Sequence, residues 1–362
     1  YSMKVFLPAS IPRKSSFPHR IRPLFARYPV LLFLLPVLFL AGWARDRAPV
    51  SKTGFYFDTV VTITLYDTNN AGPLSYDTIL TDCFALCEAY EAMLSRTKEG
   101  SDIWKINHAG GAPVEVDPET AALLQKALAY CQASGGAADL TIAPLSSLWN
   151  FSSDNLGQAH TVPDTQQIRA LLPHVDYRAV HIEGNTVTLQ DPQAALDMGC
   201  IAKGYIADKL KQYLHSQGVE SALINLGGNV LTLGEKPDGA PFRLGIRNPF
   251  APENTPIAVL PVTDASLVSS GVYERFFEAD GIRYHHLLDA QTGMPMQNGL
   301  LSVTILSASS ADGDMLSTVC FLLGLTAGME YVESLPGVEA VFITEDYALH
   351  PSSGLSGLLQ TP

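Results

Sequence analysis

The sequence predicts an α+β protein, with one compact two-lobed domain over residues 51–362 in which β-sheets are flanked by helices, preceded by a hydrophobic N-terminal segment over residues 1–50. Three observations carry this. Helical periodicity is concentrated in the first half, while short β-branched and aromatic runs crowd the second. Apolar residues make up 47% of the 362-residue chain, enough for a sizeable core in one large domain or two ordinary ones. The charge is split: residues 1–50 hold eight Lys/Arg and one acid, leaving 15 basic against 35 acidic residues beyond them, about −20. A body so acidic argues against nucleic acid as a partner.

In residues 1–50, Lys4, Arg13, Lys14, Arg20, Arg22 and Arg27 precede the apolar run PVLLFLLPVLFLAGW at 29–43. That run has the length of a signal-peptide core and is short for a spanning helix. The basic flank would stay in the cytoplasm, so the expectation is an exported domain on the outer side of the cytoplasmic membrane, with membrane contact through this segment. Leu40-Ala41-Gly42 would form a lipoprotein cleavage box before a cysteine, but Trp43 follows and offers no thiol. An uncleaved anchor, ordinary signal cleavage and a sequence changed at this position all stay open.

Residues 48–53 read as a polar linker, and FYFDTVVTITLYD as one strand. A helix is expected over residues 76–94, with Cys83 and Cys87 as small hydrophobes on its apolar face. The five cysteines form no CxxC pair, which disfavours a zinc site and predicts no structural disulfide. A second helix over residues 119–133 is stopped by Gly135-Gly136. Residues 139–149 read as a strand end entering a loop, because Pro144 forbids an uninterrupted helix. Trp149 and Phe151 read as core or as ring-stacking residues. Residues 152–182 are a polar loop with a short helix around 165–171, and further strands are expected at 222–226, 242–246, 267–269, 282–288, 301–306 and 340–344.

The chemistry centres on LDMGCIAKGYIAD, residues 196–208. Asp197 closes a short apolar strand, Gly199 and Gly204 bracket a turn, and Lys203 stands where a helix begins that runs to Gly218. A glycine turn carrying a lysine into a helix N-terminus suits phosphate, although the same pattern also serves as a plain strand-to-helix connection, and it is not a Walker loop. Gly227-Gly228-Asn229 ends a buried strand and reads as a tight turn or a place where backbone meets a ligand. In the helix expected over residues 311–323, Asp314 and Thr318 lie one turn apart and both offer oxygen to a hard cation. Alternatively, Asp314 complements the helix dipole while Thr318 bonds its own preceding carbonyl.

The ordered series DLTIAPLSSLWNF, LDMGCIAKGYIAD, INLGGNV, SSGVYERFF, YHHLLDAQTG and ADGDMLSTVCFLLG closely resembles the ApbE family of FAD:protein FMN transferases, from about residue 55 to about residue 354. The resemblance implies a Mg²⁺-dependent transfer of FMN from FAD, as substrate, to a Thr or Ser of a target flavoprotein, with AMP released. It implies Mg²⁺ on Asp314 and Thr318 with a backbone carbonyl of the AKG turn, taken as Ala202. It implies FAD contacts at Lys203, Gly204, Gly227, Gly228, Asn229, Ser270, Arg275 and His286, with Lys203 as the phosphate cation and Asp197 orienting its turn. Arg275 has a surface ion pair as its alternative. His286, of His285-His286, could take the proton of the attacking hydroxyl. The implied partners are FMN-carrying subunits of Rnf- or Nqr-type redox complexes, or extracellular flavoproteins. A pyrophosphatase giving FMN and AMP, or a flavin binder without catalysis, are the rival readings. Three positions depart from the family pattern: Trp43 for the lipidated cysteine, Thr97 for an aromatic residue and Ala290 for a proline expected to tighten the turn.

Overall fold

The computed structural model describes residues 48–66, 74–151, 161–252 and 255–362. The expected N-terminal targeting segment, with Trp43, lies outside them. Residues from Ala48 to Pro362 form one compact unit.

Among the described residues, eight strands form the main sheet: β1 (Val50–Tyr56), β2 (Thr59–Leu65), β3 (Ala222–Leu226), β4 (Asn229–Leu233), β5 (Ser266–Gly271), β6 (Leu300–Ser307), β7 (Glu339–Thr344) and β8 (Leu349–Pro351). They lie in space in the order of the chain, and each pairs antiparallel with the next. The sheet is a meander into which helices and small hairpins are inserted. Alternation places each side chain. In β2, Val61, Ile63 and Leu65 are buried, while Thr62 and Thr64 face outward and bond the hydroxyls of Thr53 and Ser51 on β1, at 3.0 and 2.9 Å.

The single strand expected over residues 55–67 is thus a hairpin, and the linker expected at 48–53 already belongs to β1. A two-residue turn, Phe57-Asp58, reverses the chain with both residues at positive φ, 55° and 57°. The sequence hid this because such turns normally announce themselves with Asn-Gly or Asp-Gly.

Seven helices surround the sheet among the described residues: α1 (Tyr76–Leu94), α2 (Asp102–His108), α3 (Pro118–Ala133), α4 (Ala143–Trp149), α5 (Thr165–Leu171), α6 (Ala202–Ser216) and α7 (Ser310–Glu333). Five of the seven starts carry a side-chain cap. Ser75 accepts from Thr78 N at 3.2 Å, Asp117 precedes Pro118 and accepts from Glu119 N, and Asp164 with Gln167 forms a capping box. α4 corrects the loop expected there. Pro144 stands in its first turn, where the missing N–H has no intrahelical partner to lose. α7 is broken at Gly324 (φ 80°), and Asn298 donates to the carbonyl of Phe321 at 2.6 Å, which closes the first segment near the expected end at residue 323.

α7 packs on β5 and β6, and α6 packs on α7 and α1. A second, smaller core gathers Leu145, Trp149, Ile168, Phe277 and Leu288. Trp149 is buried there as a core residue, its indole N–H donating to Gly293 O at 2.8 Å, with Phe151 stacked at 5.8 Å. A hairpin at Val180–Glu183 and Thr186–Leu189, pairing with Val114–Glu115, went unread in the sequence because its strands are only a few residues long. The short strand expected before Asp197 is reduced to one bridge, Ala195 to Ile142. All five thiols are free.

Candidate active site

The site forms where α6 and α7 begin, and each helix caps the other. Asp208, on α6, accepts from Ser310 N (2.8 Å), Ala311 N (3.0 Å) and Ser309 Oγ (3.0 Å) at the start of α7. Asp314, on α7, accepts the backbone N–H of Gly204 in the first turn of α6 at 3.0 Å. Ile201 has no capping side chain of its own, so the carboxylate that meets the dipole of α6 comes from the neighbouring helix. Such close approach requires Gly204, where a Cβ would overlap the Ser310 carbonyl. The glycine of the AKG turn therefore serves helix packing, and its amide is spent on a protein carboxylate. This modifies the expectation of a bare helix N-terminus open to phosphate.

Lys203 Nζ bonds Gly199 O at 3.0 Å and lies 3.4 Å from Asp314 Oδ1. Two of its three N–H donors are thus occupied, and one remains for an anionic ligand. Asp197 Oδ1 accepts from Gly199 N at 2.9 Å, while its Oδ2 pairs with Arg96 at 3.4 Å, so it shapes the turn that offers Gly199 O to the lysine. Ala202, whose carbonyl the resemblance gives to the cation, is the first residue of α6, two residues before the Gly204 N–H that Asp314 accepts. Gly199 O is the turn carbonyl facing this group.

Asp314 is buried in the second turn of α7, and the first-turn acid is Asp312, which pairs with Lys126 at 2.7 Å and Tyr130 at 2.6 Å. The hydroxyl that bonds back to the Asp314 carbonyl is that of Ser317, at 2.9 Å. Thr318 instead faces Ser270 at 3.3 Å, and Ser270 meets Ser317 at 2.7 Å. Asp314 and Thr318 thus lie together with Ser270 at their foot. This donor set suits Mg²⁺, which takes one or two carboxylates and completes its shell from phosphate and water. Among the described residues no three His, Cys, Asp or Glu side chains gather, which disfavours a metal caged by protein alone.

The rim of the cleft comes from the segment after β5. Glu274 lies beside Gly228, its Oε1 3.9 Å from where a Cβ would stand. Glu274 is an exposed residue, yet desolvation by the atoms around its carboxyl, opposed by Lys203, Arg275 and Arg247, raises its pKa to about 7. Arg275 pairs with Asp58 of the β1–β2 turn at 3.2 Å, which is the ion-pair alternative. Its backbone carbonyl accepts from His286 N at 3.1 Å and meets His286 Nδ1 at 3.3 Å. A carbonyl only accepts, so Nδ1 carries the proton and Nε2 keeps its lone pair. Burial first, then Arg275 and His285, hold His286 down at about 3, so it is neutral at physiological pH. His285 turns the other way, Nε2 to Met296 O at 2.9 Å.

Gly227 (φ 60°) backs onto Thr59, where a side chain would collide, and this seats the turn against the β1–β2 hairpin. Asn229, expected at the cofactor, is buried and accepts from Ser310 Oγ at 2.7 Å, so it ties α7 to the sheet. Thr97 bonds Ser95 at 3.1 Å within its own loop. The turn with Ala290 is held by Asp289, which bonds Gln291 N (2.9 Å) and Thr292 Oγ1 (2.8 Å) and whose carbonyl accepts from Gly293 N (2.8 Å), so proline is not needed to fix it. Burial raises the Cys200 thiol, which disfavours it as a nucleophile. Glu274 and Asp208 were missed as site residues in the sequence, since only the fold brings them to the lysine and to α7.

With one free ammonium donor, one buried carboxylate and a neutral imidazole around a common cleft, the charge is mixed, as suits an enzyme acting on a phosphate ester. The chain matches the family model described as ApbE family over residues 57–342. It is 36% identical over 330 residues to the FAD:protein FMN transferase of Treponema pallidum, covering 87% of this chain and 89% of that one. It is 41% identical over 266 residues to an FAD:protein FMN transferase of Klebsiella pneumoniae, covering 73% and 81%. The crystal structure of the ApbE protein of Thermotoga maritima superposes with a TM-score of 0.77 at 29% identity, covering 86% of this chain and 99% of that one. The flavin transferase ApbE of Vibrio cholerae gives 0.76 at 26%, covering 86% and 99%. The chain belongs to the ApbE family.

Proposed function

We propose that this chain transfers FMN from FAD to the hydroxyl of a Thr, or a Ser, on a protein acceptor. The acceptor oxygen attacks the phosphorus that bears the flavin ribityl chain, the diphosphate P–O bond breaks, and AMP leaves with the bridging oxygen. The hydroxyl proton goes to His286 Nε2; burial chiefly holds its basicity low, and negative diphosphate beside the ring would offset the further lowering by Arg275. Lys203 offers its remaining N–H to the diphosphate. Asp314 and Thr318 would hold Mg²⁺, which neutralises charge on the phosphate oxygens.

The observation that carries this reading is the Asp314 carboxylate at the start of α6 beside Lys203. A carboxylate there repels a bare diphosphate and welcomes one that arrives with a cation. The relatives named as FAD:protein FMN transferases support the same reaction. We further place the domain outside the cytoplasmic membrane, acting on FMN-carrying subunits of Rnf- or Nqr-type complexes or on other exported flavoproteins; the basic residues before the apolar run at 29–43 support that orientation. The N-terminus of protein recovered from membranes, read by mass spectrometry, tests the location: a diacylglycerol adduct would overturn this reading of the segment.

The reaction is tested by incubating the protein with FAD, Mg²⁺ and an Nqr-type FMN-carrying domain. The expected outcome is one AMP per acceptor gaining an FMN phosphoester. AMP with equal free FMN and an unchanged acceptor mass would make the chain a pyrophosphatase, and no AMP at all would leave it a binder.

A further inference from the structure

Three hydroxyls and one carbonyl form a chain where β5 meets α7. Strand alternation turns Ser266, Val268 and Ser270 towards the helix, where they meet Ser310, Gly313 and Ser317, spaced three and four residues apart on one face of α7. The glycine makes the approach close, since a Cβ there would stand 2.9 Å from Ser307 Oγ and 3.1 Å from Val268 Cγ2. Ser270 Oγ thereby comes within 2.7 Å of Ser317 Oγ and 3.3 Å of Thr318 Oγ1, and Ser317 Oγ lies 2.9 Å from the Asp314 carbonyl.

Each hydroxyl has one proton to give, and the carbonyl at one end fixes the order. Asp314 O can only accept, so Ser317 donates to it. With that proton spent, Ser317 accepts from Ser270. Ser270 has then spent its own proton, so in its contact with Thr318 it accepts and Thr318 donates. Thr318 Oγ1 therefore turns its proton inward to the strand and its lone pairs outward. Burial agrees with this direction. Ser270 and Ser317 are 9% and 0% exposed, whereas Thr318, one helical turn on from Asp314, keeps accessible surface.

We propose that Ser270 and Ser317 are positioning residues that hold the Thr318 oxygen open to a divalent cation shared with Asp314, and that Ser270 is not itself a flavin contact. This rests on the reading above in which Asp314 and Thr318 take Mg²⁺. A hydroxyl ligates a cation through a lone pair, so a Thr318 proton aimed at the cation opposes binding. A cation on this oxygen polarises its O–H and strengthens the bond to Ser270, so the two contacts reinforce each other. Ser317 acts one step further back, by claiming the Ser270 proton that would otherwise be offered to Thr318.

The test uses the full chain as wild type, Ser270→Ala, Ser317→Ala, Thr318→Val and the double variant Ser270→Ala/Thr318→Val. Flavin fluorescence gives FAD affinity in EDTA and across a Mg²⁺ titration, and melting temperature is read beside it. The Mg²⁺ midpoint should rise about tenfold in Ser270→Ala and in the same direction in Ser317→Ala, while the FAD affinity of both in EDTA stays at the wild-type value. Thr318→Val should raise the midpoint at least as far, and adding Ser270→Ala to it should change nothing more. Ser317→Ala decides the matter alone should Ser270→Ala unfold. Serine variants that lower only the melting temperature, in a protein whose midpoint Thr318→Val raises, overturn the positioning role alone. Weaker FAD binding by Ser270→Ala in EDTA makes Ser270 a flavin contact and overturns it as well, as does an undiminished effect of Ser270→Ala in the Thr318→Val background. A midpoint that Thr318→Val leaves unchanged takes the cation away from this threonine and overturns the metal reading, and this proposal with it.

Discussion

The floor and the rim of the cleft are built on opposite plans. At the floor, α6 and α7 exchange carboxylates, Asp208 to one helix start and Asp314 to the other, and a glycine lets the backbones meet. Most polar groups there already have protein partners and little surface reaches water. At the rim, Glu274, Arg275 and His286 retain accessible surface. The difference teaches a division of labour. In the proposed reaction a diphosphate with its cation would need the same few oxygens and one ammonium in fixed places at every turnover, so preorganisation would belong at the floor. The acceptor must enter and leave, so its contacts belong at the rim.

Substitutions at Asp314 should break this division most severely. Both Asp314→Ala and Asp314→Asn should slow transfer by at least about 10³-fold, because neither supplies a charged oxygen to the cation. They should part in stability: the alanine leaves the Gly204 N–H without its acceptor and costs about 1–3 kcal/mol, while the asparagine retains a carbonyl there. Urea unfolding beside transfer rates checks both, and normal turnover by Asp314→Asn would end the metal role.

At the rim, His286→Ala should slow transfer by about 10²–10³-fold with FAD affinity intact, read by single-turnover kinetics and flavin fluorescence. Since its pKa is lowered from 6.5 to about 3, the free protein's His286 should remain neutral as pH falls through the usual histidine range. Ring NMR signals that titrate near 6.5 would show that burial and Arg275 do not govern it.

Lys203→Ala belongs again to the floor and should raise the FAD dissociation constant about tenfold; Lys203→Arg should recover it only in part, since a planar fork cannot replace a compact ammonium between Gly199 O and Asp314. Unchanged affinity would make this lysine purely structural. The smallest effect concerns Glu274. Its carboxyl, raised to about 7, is largely protonated below that pH and negative above it, so FAD affinity should decline a few-fold as pH rises through about 7. In Glu274→Gln that decline should vanish, and an identical pH profile in both proteins would remove Glu274 from the site.

Much of the floor was legible in the sequence because local rules fix it. A lysine entering a helix and an Asp–Thr pair one turn apart are readable as spacing, helical periodicity places α1, and Gly135-Gly136 stops α3. What escaped was decided by tertiary partners. Asp208 looks like any helix-surface acid until α7 arrives, and only the fold shows that the Asn229 amide oxygen also accepts from Ser310 Oγ. Glu274 acquires its character only from the walls around it. The Phe57-Asp58 turn lacks the glycine that would have divided the first strand in two, and Pro144 was read as a breaker where it is a helix opener.

The central claim is that Asp314 is where cation and diphosphate meet, and one linkage measurement tests it directly. FAD affinity is measured by flavin fluorescence across a Mg²⁺ titration, for the wild type and for Asp314→Asn, without any acceptor present. A cation in contact with the diphosphate strengthens its binding, and by reciprocity FAD strengthens the cation's binding by the same factor. Wild-type affinity should therefore rise with Mg²⁺ until the cation saturates, while Asp314→Asn should bind FAD with an affinity nearly independent of Mg²⁺. The same rise in both proteins would contradict the account and move the cation away from this carboxylate.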